Sequence, residues 1–210
     1  MFVIFQTLNS TQGVQNLALI NLTPSIVLAS ASPRRSSILK QIGFNFEVMV
    51  STHEEEFSND IDLAKTNAKN KALEVSQRDN RLVLGCDTLV YLENQVLGKP
   101  KTKDHAMEIL QKLNNKEHLV RTGVAFAQKG VLLSAKIAET RVFFRNNSPQ
   151  ELLDYVNSLE PMDKAGAYGI QGLGARLIQS ICGCYYNVVG LPVALVLDML
   201  KEVNHSYDFK

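Results

Sequence analysis

The segment at residues 30–35 constrains the fold most, because a strand end, a helix start and two adjacent arginines follow one another there. The apolar residues 26–29 before it predict a short buried strand. Ser32 is a favoured N-cap residue, and Pro33 suits the first helical position, where a missing N–H costs nothing. We therefore expect a strand that turns directly into a helix.

The start of this helix is also a candidate anion site. Its free backbone N–H groups, the positive end of its dipole and the guanidinium groups of Arg34 and Arg35 would converge on one spot. Such a spot suits a phosphate chain. The alternative is an ordinary capped helix with two solvated arginines, and this segment alone leaves both interpretations open.

Beyond residue 26, helical and strand patterns alternate, which predicts a mixed α/β fold with a mixed sheet. Further strands are predicted at 44–50, 81–86, 119–127, 131–138, 141–144, 178–181 and 185–189, with a hairpin joining 88–91 to 96–97. Further helices are predicted at 62–76, 102–113, 149–159 and from Pro192 onward. A glycine-rich stretch covers residues 166–174.

Composition limits the classes of partner. The net charge of +1 gives no global field toward nucleic acid or an anionic membrane, so any anion site must be local. The sequence contains no apolar run of about 18 residues, so it predicts no membrane span. The first basic residue is Arg34, so the chain start lacks the positive region of a secretory signal. Three cysteines argue against a disulfide framework and predict a reducing, cytoplasmic location.

The two cysteines Cys182 and Cys184 allow a metal clip, but no second Cys/His cluster accompanies them. Two small apolar residues on one strand face is the preferred interpretation. Residues 1 to about 24 are polar, uncharged and without clear periodicity, and we expect an N-terminal extension there.

Asp87 is the strongest catalytic candidate, because a carboxylate at the end of an apolar strand could bind a divalent cation or accept a proton from water. The alternative is a turn aspartate that accepts backbone N–H groups. Glu55 lies in an acidic run and could hold a metal, or it could belong to a solvated loop. Lys99 on a stiff turn and Lys71 on a helix are candidate anion ligands, although solvated lysines are common at both kinds of position.

The glycine-rich segment could approach a ligand closely, since glycine lacks a side chain. Gln171 within it offers both a donor and an acceptor, which the edge of a nucleobase would use. A strand corner relieved by glycines is the alternative. The glycine spacing matches neither a P-loop nor a dinucleotide fingerprint.

Six ordered motifs together resemble the Maf family of nucleoside triphosphate pyrophosphatases over roughly residues 26–200. They are LASASPRR at 28–35, GCDTLV at 85–90, GKP at 98–100, HLVRTGV at 118–124, DKAGAYGIQG at 163–172 and VGLP at 189–192. The resemblance implies an elongated α/β fold, similar to that of the inosine triphosphatases, with two lobes around a central nucleotide-binding cleft. It places the domain at residues 25–203, between the N-terminal extension and a C-terminal tail at 204–210.

The resemblance also implies roles for individual residues. Asp87 would be the proton acceptor and, with Glu55, would hold Mg²⁺ or Mn²⁺. Arg34, Thr88 and Gln171 would select the base, as in the branch that hydrolyses dTTP and UTP. The phosphate side would be lined by Ser32, Arg35, Lys71, Lys99 and Lys164.

The expected activity is hydrolysis of dTTP and UTP to the monophosphate and pyrophosphate, as house-cleaning of nucleotide pools with a link to cell-division arrest. The resemblance further implies a homodimer with no stable nucleic-acid or membrane partner. Two alternatives stay open: another base preference, such as 7-methyl-GTP or a modified pyrimidine, and a non-catalytic nucleotide-binding regulator of septum formation.

Overall fold

The computed structural model describes residues 26–56 and 58–203, so the predictions for residues 1–24 and 204–210 lie outside it. Its strands are β1 (Ile26–Leu28), β2 (Phe46–Val48), β3 (Val83–Leu92), β4 (Gln95–Leu97), β5 (Glu117–Gln128), β6 (Val131–Phe144) and β7 (Ile178–Gly183). Its helices are α1 (Pro33–Gln41), α2 (Leu63–Ser76), α3 (Lys103–Leu113), α4 (Pro149–Asn157), α5 (Tyr185–Val189) and α6 (Val193–Glu202).

The strands form one mixed sheet of seven strands, ordered β2-β1-β3-β5-β6-β7, with β4 pairing with β3. β1 lies parallel to β2 and β3, and all the other pairs are antiparallel. The prediction of a mixed α/β sheet flanked by helices is therefore confirmed.

Helices whose ends carry strong local signals begin where the sequence predicts. The Thr102 hydroxyl accepts a hydrogen bond from the His105 N–H at the start of α3. Ser148 and Glu151 form a reciprocal capping box at the start of α4. Ser32 occupies the N-cap of α1 with Pro33 after it, although the Ser32 side chain makes no capping hydrogen bond.

Three predicted elements are wrong in detail, and one open alternative is not formed. The strand at 81–86 does not end at Asp87, because β3 continues to Leu92 and Asp87 pairs with Gly123 in mid-strand. The runs at 131–138 and 141–144 form a single strand, β6. The glycine-rich stretch forms short 3₁₀ turns, so the strand corner that the sequence left open as an alternative is not formed.

The third wrong element is the strand predicted at 185–189, which is the helix α5 with Cys184 at its N-cap. The Asn187 side chain donates to the Val120 carbonyl and to the Thr140 hydroxyl, and so fixes this turn against the sheet. Gly190 then ends the helix at φ 116°, where a side chain would be strained. Cys182 and Cys184 therefore do not share a strand face.

Two hydrophobic lobes lie on one face of the sheet. In the first lobe, Ile38 and Val196 from α1 and α6 pack against Leu84. In the second lobe, Ile109 and Leu152 from α3 and α4 pack beside Val90. The long strand β3 contributes to both lobes, which leaves the short stretch between Leu84 and Val90 at their boundary.

Helix α2 covers the opposite face and approaches the sheet closely. Gly85 and Gly123 permit this approach, because a Cβ atom on them would lie 2.2 Å from the Ala68 carbonyl oxygen and 2.1 Å from that of Ala64. Side chains of α2 therefore reach β3 directly. In the described part of the chain, no helix is both long and apolar enough to cross a bilayer.

Candidate active site

A cavity of about 360 Å³ opens where the edge of β3 lacks a neighbour. β1 pairs with β3 as far as Leu84, and β4 pairs with it only from Val90 onward. Among the described residues, no strand covers the edge of β3 between these points. All the site residues predicted from the sequence line this cavity: Ser32, Arg34, Arg35, Glu55, Lys71, Asp87, Thr88, Lys99, Lys164 and Gln171.

Asp87 is a buried carboxylate, 4% exposed, whose two oxygens both accept hydrogen bonds from α2. The Lys71 ammonium lies 2.7 Å from Asp87 Oδ1, and Asn67 Nδ2 lies 3.1 Å from Oδ2. Lys71 also contacts Glu55 Oε1 at 2.6 Å, so one ammonium joins the two carboxylates. We call these four residues the acid cluster.

Asn67 was missed by the sequence analysis, although its position four residues before Lys71 places both on one face of α2. Its side-chain oxygen accepts the Glu56 N–H at 3.0 Å, which ties the acidic loop to the helix. The site thus needs Asn67 both to hold the catalytic candidate and to hold the loop that carries Glu55.

The charge of Glu55 is set by opposing effects. Burial raises the pKa of its carboxyl, but the Lys71 ammonium, with Lys99 and Arg35 farther away, outweighs burial and leaves the pKa below its ordinary value. Glu55 is therefore ionised at neutral pH. Carboxylates are the ligands that Mg²⁺ prefers, and it commonly uses one or two of them together with substrate phosphates and water. The pair Glu55 and Asp87 fits that chemistry.

Arg35 is buried and joins three separate segments. Its Nε donates to the Gly190 carbonyl at 2.8 Å, and its Nη1 donates to the Ser30 hydroxyl at 2.8 Å. Its Nη2 donates to Thr88 Oγ1 at 3.0 Å, and Thr88 in turn shares a hydrogen bond with Thr122. A guanidinium has five N–H donors, so some remain for an anion in the cavity.

Arg34 lies on the other wall and has a different partner. Its Nη1 donates to Asp163 Oδ2 at 2.8 Å, and Lys164 donates to the other oxygen at 2.6 Å. Burial raises the pKa of Asp163, but Lys164 and Arg34 outweigh burial and lower it to about 2. The two adjacent arginines line one cavity, yet only Arg35 is buried.

Gln171 and Lys99 are both exposed at the rim of the cavity. Behind the wall, the buried His118 Nε2 shares a hydrogen bond of 2.7 Å with the Tyr168 hydroxyl. Burial lowers the pKa of His118 to about 4, so the ring is neutral at physiological pH. His118 is thus a core residue that supports Tyr168.

These features define a two-lobed α/β domain whose cleft places a carboxylate opposite arginine and lysine side chains. A family model described as "Maf-like protein" matches residues 25–203, and the chain belongs to that family.

Two relatives with curated names align with this chain over most of their length. A dTTP/UTP pyrophosphatase of Aquifex aeolicus is 45% identical over 184 residues, which is 85% of this chain and 95% of the relative. A dTTP/UTP pyrophosphatase of Dictyoglomus turgidum is 41% identical over 189 residues, with 86% and 97% covered. Among solved structures, the Staphylococcus aureus Ham1 protein aligns with a TM-score of 0.48 at 15% identity, over 84% of this chain and 98% of that one.

Proposed function

We propose that this protein hydrolyses nucleoside triphosphates, preferentially dTTP and UTP, to the monophosphate and pyrophosphate. The observation that carries the proposal is the acid cluster: a buried carboxylate at a cavity whose wall is otherwise rich in cationic side chains. Relatives named dTTP/UTP pyrophosphatase, 41–45% identical over nearly their whole length, support the same substrate.

In this mechanism Asp87 accepts a proton from the water that attacks the α-phosphorus. Lys71 and Asn67 hold its oxygens in a fixed direction, so the carboxylate need not reorient during reaction. A bond forms between the water oxygen and the α-phosphorus. The bond between the α-phosphorus and the α–β bridging oxygen breaks, and that oxygen leaves with the pyrophosphate.

The phosphate chain would lie along Arg35, Lys99 and Lys164, with the start of α1 at Ser32 beside it. A nucleoside triphosphate carries about four negative charges, which these cations must offset before a nucleophile can approach. Lys71 was expected to serve the phosphates as well. Two of its three N–H donors are taken by Glu55 and Asp87, so its first task is to join the carboxylates.

Glu55 and Asp87 would hold a divalent cation, Mg²⁺ or Mn²⁺, on the phosphate side. That cation would supply charge neutralisation and polarise the phosphoryl oxygens. The donor chemistry fits, because both groups are carboxylates and the remaining ligands would come from phosphate and water.

The base would lie on the opposite side, near Arg34, Thr88 and Gln171. Gln171 can both donate to and accept from the edge of a pyrimidine. Rejection of other bases would follow from buried polar groups left without partners, at about 1–3 kcal/mol each.

The test is pyrophosphate release from dTTP, UTP, CTP, GTP and 7-methyl-GTP with Mg²⁺ or Mn²⁺. We expect the first two to be the best substrates. Asp87→Asn should lower kcat by about 10²–10⁴-fold in a protein that still folds but is less stable, whereas Asp198→Asn, at an exposed ion pair on α6, should change neither. Release from none of the nucleotides would instead favour a non-catalytic regulator.

The resemblance to the Maf family also supports a cytoplasmic homodimer. The three cysteines lie unpaired in the structure, which suits a reducing compartment. Light scattering on purified protein tests the dimer, and a single protomer mass would contradict it.

A further inference from the structure

The loop at residues 169–174, which carries Gln171, closes back on itself. A Cβ atom on Gly174 would lie 2.3 Å from the Gly169 carbonyl oxygen, so the two ends of the loop touch. Gln171 sits exposed between them, at the rim of the cavity. Its position therefore depends on whatever holds the two ends together.

Two side chains behind the loop hold both ends. The Tyr155 hydroxyl accepts the Gly169 N–H at 3.1 Å and donates to Glu160 Oε1 at 3.1 Å. The Glu160 carboxylate then accepts the Gly174 N–H at 3.0 Å and the Leu173 N–H at 2.9 Å. We call Tyr155 and Glu160 the loop clamp.

The glycines of the loop are explained by this clamp. A Cβ atom on Gly172 would lie 2.6 Å from Glu160 Oε2, and one on Gly174 would lie 2.7 Å from the Tyr155 hydroxyl. Gly172 also has φ 64°, which strains other residues. The spacing of these glycines, which fits no nucleotide-binding fingerprint, is the spacing that packing against Tyr155 and Glu160 requires.

The segment at residues 160–174 also supports Arg34, another residue proposed to contact the base. Lys164 Nζ donates to the Glu160 carbonyl at 2.6 Å and to Asp163 at 2.6 Å, and Asp163 holds Arg34. Residues 160–174 thus support both Gln171 and Arg34. Tyr155 and Glu160 themselves lie outside the cavity lining.

We propose that Tyr155 and Glu160 are positioning residues for base selection, acting through Gln171 without touching the substrate. This inference rests on the proposed function, in which Gln171 reads the base. Loss of either clamp group would let the loop move and would weaken recognition of the base, while the acid cluster, Arg35 and Lys99 stay as they are.

The first test compares Tyr155→Phe with Tyr91→Phe. Tyr91 is a matched control, because its hydroxyl also makes a 3.1 Å hydrogen bond, but to the Asp60 carbonyl and not to the loop at residues 169–174. We expect Tyr155→Phe to lower kcat/KM for dTTP about tenfold, mainly through KM, and to reduce its preference over CTP and GTP. Tyr91→Phe should leave that preference unchanged at a similar melting temperature.

The second test separates the base from the phosphates. Binding of dTMP and of inorganic pyrophosphate is measured by calorimetry on the wild type, Tyr155→Phe and Glu160→Gln. Both variants should lose affinity for dTMP about tenfold and keep their affinity for pyrophosphate. Glu160→Gln replaces one carboxylate oxygen with an NH₂ group, which cannot accept a hydrogen bond from the N–H groups of Leu173 and Gly174.

Two outcomes would overturn the inference: an unchanged preference among bases in both clamp variants, or equal losses for dTMP and pyrophosphate. The second would mean that the clamp stabilises the whole cleft. A wild-type protein that releases pyrophosphate from no nucleotide would instead refute the proposed function, so the two failures are distinguishable.

Discussion

The two sides of the cavity are built by different means. The acid cluster is held by one helix packed against one strand, and the side chains of Lys71 and Asp87 are only 11% and 5% exposed. The base side is held by turns and by the ion pair between Arg34 and Asp163, whose side chains are 29% and 60% exposed. Buried ion pairs lose much when one partner is removed, and exposed pairs lose little.

This difference indicates how the molecule divides its tasks. The reacting carboxylate is fixed by contacts that also hold the fold together, so changes there should reduce stability and activity together. The base contacts depend on a loop and an exposed pair, so changes there should affect selectivity with little loss of stability.

The strongest test of the acid side is Lys71→Met. It removes the ammonium between two carboxylates and leaves Asp87 buried without its cation, which should lower the free energy of unfolding by about 3–5 kcal/mol. Pyrophosphate release should fall by at least about 100-fold, because the carboxylate loses its orientation. Urea denaturation and steady-state kinetics measure the two effects.

Lys65→Met is the matched control on the same helix, since Lys65 pairs with Asp62 at side-chain exposures of 35% and 51%. Its cost should stay below about 1 kcal/mol, with unchanged activity. If Lys71→Met and Lys65→Met were equally stable, the ion pair between Lys71 and Asp87 would not be buried in solution.

The second prediction concerns His118, the inner support of the base side. Its folded-state pKa of about 4 lies below its ordinary value, so the unfolded chain binds the proton more readily. Its contribution, about 3 kcal/mol from the size of the shift, is complete above about pH 6.5 and is lost as the pH falls to about 4. Urea midpoints across this range should fall less steeply for His118→Gln than for the wild type.

His105→Gln serves as the comparison, because His105 lies on the outer face of α3 with its Nδ1 accepting the Lys101 N–H. It removes a single hydrogen bond near the surface, so the free energy of unfolding at pH 7 should change by less than about 1 kcal/mol. Carboxylates with lowered pKa values add to the pH slope of both proteins, so the difference between His118→Gln and the wild type isolates His118. Parallel curves for His118→Gln and wild type would contradict this account.

The third prediction tests how α2 reaches the sheet. Gly123→Ala would place a Cβ atom 2.1 Å from the Ala64 carbonyl oxygen, so α2 must shift away from the sheet. We expect a loss of about 1–3 kcal/mol and a fall in kcat, because Asn67 and Lys71 move with the helix. Gly130→Ala, in an open turn at φ 75°, should cost about 1 kcal/mol through strain alone and keep the wild-type kcat.

Sequence reasoning worked best where the determinants are local. The starts of α3 and α4 follow from Thr102 and from the Ser148–Glu151 capping box, which act within one turn of the helix. α5 was predicted as a strand because its short apolar run fits either period, and a distant contact of Asn187 decides between them. The mid-strand position of Asp87 was missed for a similar reason. Pairing with the distant strand β5 continues β3 through the polar residues Asp87 and Thr88, where the local sequence suggests that the strand ends.

For the site, the sequence predicted which residues meet but not how they bond. The motifs predicted ten residues that the structure brings to one cavity. The partners that hold them were missed: Asn67 for Asp87, Gly190 for Arg35, and Tyr155 and Glu160 for the Gln171 loop. These contacts depend on tertiary packing, and the four-residue spacing of Asn67 and Lys71 on α2 is the one local signal among them.

The smallest effect is expected at the pair Arg34 and Asp163. Asp163→Asn should change the free energy of unfolding by less than about 1 kcal/mol, because both side chains meet solvent. Arg34 loses its carboxylate partner, so KM for dTTP should rise a few-fold at unchanged kcat, and this effect should shrink in high salt as screening weakens the pair.

The pH dependence sharpens this last comparison. Because the pKa of Asp163 is about 2, below its ordinary value, its contribution to stability is present above about pH 4 and is lost only as the pH falls toward about 2. The difference between Asp163→Asn and wild type should therefore stay constant between about pH 5 and about pH 8, in unfolding and in KM alike. A drop in kcat, or a stability loss as large as that of Lys71→Met, would mean that the base side is as tightly coupled to the fold as the acid cluster.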